Sequence, residues 1–199
     1  MKLAVLFPGV GYHVDKPLLY YAKDLAAVLG YELAEAKYGE LPDGIRGDRE
    51  KMRAAFEAAL DGAVKSLGKV EWGSFDELLF ISKSIGTAVA AETAHRLGLK
   101  TRNIYYTPVG ETFLFPLQEG IAFHGTADAW VTAQAVREGC AGCGITLFVT
   151  KGANHSMETE DTLENIRILG GIMERTAAYI RGEAAQAADG RKHESGGNA

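Results

Sequence analysis

The chain has 199 residues, of which 47% are hydrophobic and 24% are charged, values typical of one globular domain and unlike those of disordered or disulfide-rich chains. Its 21 basic and 26 acidic residues give a net charge of −5 at pH 7, so nucleic acid is not an expected partner. The apolar start of the chain stops at Pro8, too soon for a signal peptide, and no apolar run is long enough to cross a membrane. We therefore expect a cytoplasmic protein with no membrane partner, and the sequence does not indicate its oligomeric state.

Hydrophobic patterning in the first half of the chain predicts strands that alternate with helices. The continuous apolar run at residues 3–7 and the run Leu-Leu-Phe-Ile within residues 77–82 are typical of strands buried on both faces. A weaker alternation at residues 31–38 predicts a strand between them. Asp15 is expected to cap the first helix. The apolar spacing along residues 52–67 predicts a second helix.

The second half of the chain continues this alternation. The further predicted elements are helices at residues 84–97, 130–138 and 161–180, and strands at residues 103–107, 121–124 and 145–150. The last helix should turn one apolar face inward, which comprises Leu163, Ile166, Leu169, Met173 and Ala177. Residues 1–182 thus form the predicted single domain, and the small, polar residues 183–199 are expected to form a flexible tail.

Six strands alternating with helices predict a three-layer α/β fold with a mainly parallel sheet. In such sheets, ligands bind at the carboxyl ends of the strands, where the connecting loops gather. The residues that directly follow each predicted strand are therefore the candidates for a functional site.

The residues after the third strand place small side chains two positions before and two positions after Ser84, namely Ser82 and Gly86. A serine presented on a sharp strand-to-helix turn needs such neighbours, because a large side chain at either position would collide with the adjacent strand or helix. The usual residue at the first position is glycine, so Ser82 is a mild departure. The alternative is that Ser84 merely caps the helix that follows.

An acid and a histidine follow the next strand ends. Asp128 comes after the strand that ends at His124, and His155 comes after the strand that ends at Thr150. Separately, Asp128 fits a turn and His155 fits an ordinary loop. Together with Ser84 they occur at strand ends in the order Ser, Asp, His, which is the order of the α/β-hydrolases.

Over about residues 2–180, the chain resembles the α/β-hydrolase superfamily, on the motifs Ser-Lys-Ser-Ile-Gly, His-Gly-Thr-Ala-Asp and Gly-Ala-Asn-His-Ser. The resemblance implies a catalytic triad with Ser84 as nucleophile, His155 as general base and Asp128 as the partner that orients the base. It also implies a small, lidless member similar to carboxylesterases and dienelactone hydrolases. Such a member lacks the cap domain and the family's first two strands, and it needs no metal or other cofactor.

A family member of this kind also has an oxyanion hole built from backbone N–H groups. The resemblance assigns one donor to Ile85, directly after the nucleophile, and the other to Val10, with Gly11 as the second choice. Pro8 stands where the family often has histidine. The alternative is a glycine-rich turn with no ligand. A dinucleotide-binding loop is excluded, because its third glycine would fall at Val14.

Tyr12, Lys83 and Trp130 are candidates to line the substrate pocket. Lys83 stands beside the nucleophile and would meet an anionic group of a substrate; the alternative is a solvated lysine on the turn. Cys140 and Cys143 have the spacing of a redox pair or of half a zinc site. No second pair of zinc ligands is visible in the sequence, so a chance pairing is favoured.

The predicted function is a serine hydrolase that cleaves a small carboxylic ester or thioester through an acyl-enzyme on Ser84. The segment at residues 107–120 is too short to form a large lid, which favours an accessible small-molecule substrate. Two alternatives use the same fold: a non-catalytic ligand-binding protein, and an acyltransferase with the same triad. A redox role for Cys140 and Cys143 is more distant.

Overall fold

The computed structural model describes residues 1–42, 44–45 and 47–183, so the predicted tail falls outside the described residues apart from Glu183. Its strands form one six-stranded sheet in the order β2-β1-β3-β4-β5-β6, and all neighbouring strands pair in parallel. The strands are β1 (Lys2–Phe7), β2 (Glu32–Glu35), β3 (Glu77–Lys83), β4 (Arg102–Tyr106), β5 (Gly120–Gly125) and β6 (Thr146–Thr150). The predicted α/β architecture with six strands is confirmed.

Helices cover both faces of this sheet. The α-helices are α1 (Pro17–Val28), α2 (Arg49–Leu67), α3 (Ile85–Arg96), α4 (Ala133–Gly142) and α5 (Thr162–Ile180). Short 3₁₀ helices lie at Trp72–Ser74 and Gly110–Leu114. Between β4 and β5 the chain makes only the second of these turns, so no cap domain is inserted there, as the length of this segment predicts.

The sheet is buried on both faces because alternate side chains of its central strands enter different cores. In β1, Ala4 and Leu6 belong to the core that also contains residues of α1 and α5, whereas Val5 and Phe7 belong to the core beneath α2 and α3. This explains why the central strands read as continuous apolar runs. Since every strand runs in the same direction, the loops that follow β1, β3, β5 and β6 meet at one edge of the sheet.

The predicted cap of the first helix is wrong. The helix begins at Pro17 with Lys16 as its N-cap residue, and no side chain supplies a capping hydrogen bond. Asp15 lies one position too early to cap, and its carboxylate pairs with Nζ of Lys23 at 3.3 Å instead.

β2 and α4 begin or end at residues other than those predicted from the sequence. β2 has only four residues. Beyond it the chain leaves the sheet, because the backbone N–H of Lys37 donates to Oγ of Ser66 in α2 and not to a neighbouring strand. The helix expected from residue 130 begins at Ala133, where Oγ1 of Thr132 caps it by accepting from the N–H of Ala135.

The inward face predicted for the last helix is buried only in part. The buried residues of α5 begin at Ile172, and Leu169 and Met173 pack against the core, whereas Leu163 and Ile166 are 64% and 62% exposed. The apolar periodicity of a helix indicates which face is apolar but not how far along the helix its neighbours reach.

Candidate active site

Ser84 lies on a strained turn between β3 and α3. Its backbone has φ 56° and ψ −127°, a combination that is costly for a residue with a side chain. The turn is fixed by the N–H of Ser84, which donates to the carbonyl of Tyr106 in β4 at 3.0 Å. Ser84 stands at the N-cap position of α3, but its side chain makes no capping hydrogen bond, so helix capping does not explain this residue.

The residues on either side of this turn are small for different physical reasons. Oγ of Ser82 is buried and donates to the carbonyl of Ile104 at 3.0 Å, which satisfies its hydroxyl within the sheet. A Cβ added at Gly86 would lie 2.3 Å from the carbonyl oxygen of Phe7 and 2.4 Å from that of Pro8. Glycine is therefore required at position 86, because α3 begins directly against the end of β1.

Three side chains from three loops form one hydrogen-bonded chain. Oγ of Ser84 lies 2.8 Å from Nε2 of His155, and Nδ1 of His155 lies 2.7 Å from Oδ2 of Asp128. The other carboxylate oxygen of Asp128 accepts from the backbone N–H of Trp130 at 2.8 Å. The side chain of Asp128 is fully buried, and that of His155 is 18% exposed. The structure thus brings together the serine, histidine and aspartate singled out in the sequence.

Trp130 covers the imidazole of His155. The two rings stack with centroids 5.3 Å apart and an interplanar angle of 28°. Trp130 also packs against the cluster of Ile45, Met52, Ala55 and Ile85, which includes residues of α2 and α3. The sequence placed Trp130 in a substrate pocket and at the start of a helix, and no sequence signal pointed to this stacking.

Burial and hydrogen bonding shift the two titrating partners toward a neutral base and an ionised acid. Burial lowers the pKa of His155 below 6.5, although the hydrogen bond to Asp128 acts in the opposite direction. Burial alone would raise the pKa of Asp128, but the hydrogen bonds from His155 and from the N–H of Trp130 bring it below its usual value. A neutral imidazole next to a carboxylate is ready to accept a proton from Ser84.

The loops that carry Asp128 and His155 are packed directly on each other. The N–H of Ala127 donates to the carbonyl of Ala153 at 2.9 Å, and Oγ1 of Thr126 accepts from the N–H of Gly152 at 2.8 Å. A Cβ added at Gly125 would lie 2.0 Å from the carbonyl oxygen of Ala153. Glycine at the end of β5 is therefore what allows this close approach.

Gly125→Ala is expected to displace the loop that holds His155. We expect a loss of unfolding free energy of about 1–3 kcal/mol from overpacking, and a fall in catalytic efficiency of roughly 10²-fold, because a displacement of about 1 Å is enough to misalign a base. Urea unfolding and Ser84-dependent hydrolysis measure the two effects. Gly170→Ala is the matched control, since a Cβ there meets nothing within 4 Å. A Gly125→Ala protein with unchanged activity would contradict this account of the loop.

The loop after β1 forms a tight turn beside Ser84. Gly9 and Tyr12 exchange two backbone hydrogen bonds of 3.1 Å, which leaves Val10 and Gly11 at the centre of the turn. Gly11 has φ +69°, which favours glycine at this position. A Cβ added at Gly9 would lie 3.1 Å from Cβ of Ser84, so the turn is in close contact with that residue.

The predicted oxyanion donors come from the loop after β1, which approaches Ser84, and from the residue directly after Ser84. Within the described residues, the N–H groups of Val10 and Gly11 donate to no backbone carbonyl. Ile85 is the first residue of α3, so its N–H has no partner within the helix. The positive end of the α3 dipole lies at the same point, where negative charge on a substrate oxygen would be favoured.

Tyr12 and Lys83 lie inside the protein and not on an open surface. Lys83 is 1% exposed, so the alternative of a solvated lysine is wrong. Its Nζ lies over the ring of Tyr12, 4.9 Å from the ring centroid. Tyr12 is also buried, and its hydroxyl accepts from the N–H of Leu18 at 3.1 Å. Both side chains are therefore largely withdrawn from solvent.

The two cysteines are free thiols in different environments. Cys140 is buried in α4 and Cys143 is exposed at its C-terminal end. Burial raises the pKa of Cys140 to about 12, which disfavours the reactive thiolate.

Across residues 1–42, 44–45 and 47–183, there is no group of three or more His, Cys, Asp or Glu side chains that could hold a metal ion. No helix in the described part of the chain is long and apolar enough to cross a membrane.

The architecture is shared with solved structures of hydrolases. The chain is similar to an α/β serine hydrolase homologue from Coxiella burnetii (14% identity, TM-score 0.62), of which 84% is covered by 87% of this chain. A lidless α/β serine hydrolase from Xanthomonas campestris aligns at 16% identity and TM-score 0.59, over 94% of this chain and 84% of that one. A Pyrococcus furiosus esterase aligns at 14% identity and TM-score 0.61, over 92% and 83%. No protein-family model and no curated protein sequence matches the chain. At these identities the likeness establishes the fold.

Proposed function

On the premise that the chain has the α/β-hydrolase fold, we propose that it is a serine hydrolase which cleaves small carboxylic esters or thioesters. The observation that carries this proposal is the hydrogen-bonded chain of Ser84, His155 and Asp128 at the loop edge of the sheet. A serine hydroxyl is a weak nucleophile until a base takes its proton. Here the base is within hydrogen-bond distance and its own partner fixes its orientation.

In the first half of the proposed reaction, His155 takes the proton of Ser84 while Oγ attacks the substrate carbonyl carbon. The carbonyl oxygen becomes negative, and the N–H groups of Val10 and Ile85 donate to it. Asp128 stabilises the imidazolium that forms. The tetrahedral intermediate collapses when the carbon–oxygen or carbon–sulfur bond breaks, and His155 returns the proton to the leaving alcohol or thiol.

The second half repeats these steps with water. His155 takes a proton from a water molecule, whose oxygen attacks the acyl group on Ser84, and the same backbone donors hold the second oxyanion. Cleavage of the ester to Ser84 releases the carboxylic acid, and His155 gives the proton back to Oγ. None of these steps calls on a metal or an organic cofactor.

The substrate class is proposed from the shape of the site and from a neighbour. No domain is inserted between β4 and β5, where the chain makes only one short 3₁₀ helix. The similar Pyrococcus furiosus protein is an esterase. Both observations support a small substrate that reaches Ser84 from solvent, although substrate choice depends on the site itself and not on the fold.

The acidic limb of the pH profile is a direct consequence of the base. Because burial lowers the pKa of His155, the imidazole stays neutral, and therefore active, to a pH below its ordinary 6.5. We expect kcat/KM to fall as pH is lowered through this depressed value, with its midpoint below pH 6.5. Initial rates with one neutral ester across buffers of constant ionic strength measure it. A profile that is flat through this range would remove His155 as the base.

The experiment that tests the function is turnover of short-chain p-nitrophenyl esters and of acyl thioesters, with Ser84→Ala as the blank. Sustained release of carboxylic acid and alcohol or thiol is the expected result. The same reaction with added alcohols identifies an acyltransferase by the new ester that it forms. A single release equal to the amount of enzyme, with no turnover, would indicate a ligand-binding protein that is only acylated.

A further inference from the structure

Lys83 is a buried cation directly before the nucleophile. It is the last residue of β3, paired in register with Tyr106 of β4, and is 1% exposed. A lysine is rarely buried without a charged partner, because removing an ammonium from water costs several kcal/mol. The position of Lys83 therefore needs an explanation that the proposed reaction does not supply.

No carboxylate makes a salt bridge with Lys83 in the described part of the chain, and its ammonium makes no hydrogen bond there. Its one close partner is the aromatic face of Tyr12, which is 4.9 Å from Nζ and lies in the loop beside Ser84. A desolvated cation over a ring is attracted by the ring's quadrupole, which fixes the ammonium in this place.

The titratable groups around Lys83 come from four neighbouring elements. Tyr12 follows β1, Tyr106 lies in β4, His124 and Asp128 lie in and after β5, and His155 follows β6. Asp128 is the carboxylate whose charge favours the ammonium. Burial raises the pKa of the Tyr12 hydroxyl, and the charge of the exposed Glu158 also raises it.

The protonation state of His124 affects the net charge around the carboxylate of Asp128. Its Nε2 donates to the carbonyl of Val131 at 3.1 Å, so in the neutral ring Nδ1 carries a lone pair. This Nδ1 is buried without a hydrogen-bond partner, 3.6 Å from Oδ2 of Asp128. His155 must also be neutral to act as a base. With both rings neutral, the fully buried carboxylate of Asp128 has Lys83 as its only nearby cation among the described residues.

We propose that Lys83 is a positioning residue of the site: its buried positive charge offsets the carboxylate of Asp128 and opposes the protonation of His155 and His124. This inference rests on the proposed function, in which His155 is the general base. Asp128 by itself would favour an imidazolium at His155, which would block the base in mildly acidic solution. Lys83 counteracts that attraction and keeps His155 neutral to lower pH.

The titration of Lys83 is consistent with this role. Burial lowers its pKa from 10.5 to about 7. With a pKa of about 7, Lys83 is mainly charged below pH 6.5, where the acidic limb of activity lies, and it becomes neutral as the pH rises above 7. The ammonium is also among the groups that lower the pKa of His155 and of His124.

The test compares wild type with Lys83→Met and Lys83→Gln, two neutral side chains of different polarity. The first readout is the pH dependence of the rate at which a fluorophosphonate labels Ser84. The second is the NMR titration of the ¹⁵N-labelled imidazole of His155, which needs no reaction. Lys151→Met removes an exposed lysine after β6 and is the control.

We expect both midpoints to rise by about one pH unit in Lys83→Met and in Lys83→Gln, and to stay unchanged in Lys151→Met. Removal of packing alone would alter the labelling rate at all pH values without moving the midpoint. Equal midpoints in wild type and both Lys83 variants would overturn the inference. If wild type is not labelled at all, the proposed function fails, and the NMR titration still decides whether Lys83 acts on His155.

Discussion

Replacing Ser84 with alanine is expected to lower kcat for ester hydrolysis by about 10⁵–10⁶-fold, to the level left by binding and backbone donors alone. The substitution removes Oγ, the atom proposed to form the acyl-enzyme, which also donates the 2.8 Å hydrogen bond to Nε2 of the neutral His155. The measurement is steady-state hydrolysis of the best substrate from the ester and thioester panel, at a pH above the acidic limb.

Stability separates this effect from misfolding. Ser84 has φ 56°, and alanine tolerates that backbone no better than serine, so the unfolding free energy should change little. Ser74→Ala, in the exposed 3₁₀ helix before β3, is the matched control and should keep full activity. A folded Ser84→Ala protein that hydrolyses esters at the wild-type rate would remove Ser84 as nucleophile.

Asp128→Asn should cost about 10⁴-fold in kcat while leaving the structure in place. Asparagine has the same shape and keeps an oxygen that can accept from the N–H of Trp130. Its amide cannot stabilise an imidazolium at His155, and an amide NH₂ facing Nδ1 would select the wrong tautomer of the ring.

Two measurements distinguish this from a structural defect. Steady-state kinetics should show the loss in kcat, and thermal unfolding should show a midpoint close to that of wild type. Asp24→Asn, on the surface of α1, controls for the loss of one negative charge. If Asp128→Asn retained wild-type kcat, the carboxylate would have no role in orienting or stabilising the base.

The sequence was sufficient to predict the sheet and the residues at its loop edge. Apolar runs such as the one within residues 77–82 identify strands that are buried on both faces, and parallel connection then places Ser84, Asp128 and His155 at one edge. The need for a small residue at Gly86 could be predicted as well, because it depends only on the local turn, two positions after the serine.

The features that the sequence did not reveal depend on contacts between distant segments. The stacking of Trp130 on His155 and the approach of Gly125 to Ala153 are set by how two loops pack, which no periodicity encodes. The sequence favoured a solvated Lys83, because lysine side chains are usually exposed. In the fold it is buried, and its ammonium lies over the ring of Tyr12 in the loop after β1.

The ends of some strands and helices, such as β2 and α4, differ from the predicted ones for a related reason. Tertiary hydrogen bonds decide them, such as the one from Lys37 to Ser66 that ends β2. The fourth helix starts late because the chain first turns at Asp128, whose carboxylate holds the N–H of Trp130. Exposure of Ile166 in α5 reflects where the core stops and not the helix's own pattern.

The central claim is that His155 activates Ser84, and labelling by a fluorophosphonate probe tests it most directly, because it requires no knowledge of the substrate. Intact mass followed by peptide mapping should show one adduct, on Ser84 of the wild-type protein. The adduct should be absent from Ser84→Ala and slowed by at least about 10³-fold in His155→Ala. A folded wild-type protein without the adduct, or His155→Ala labelled as fast as wild type, would contradict the claim.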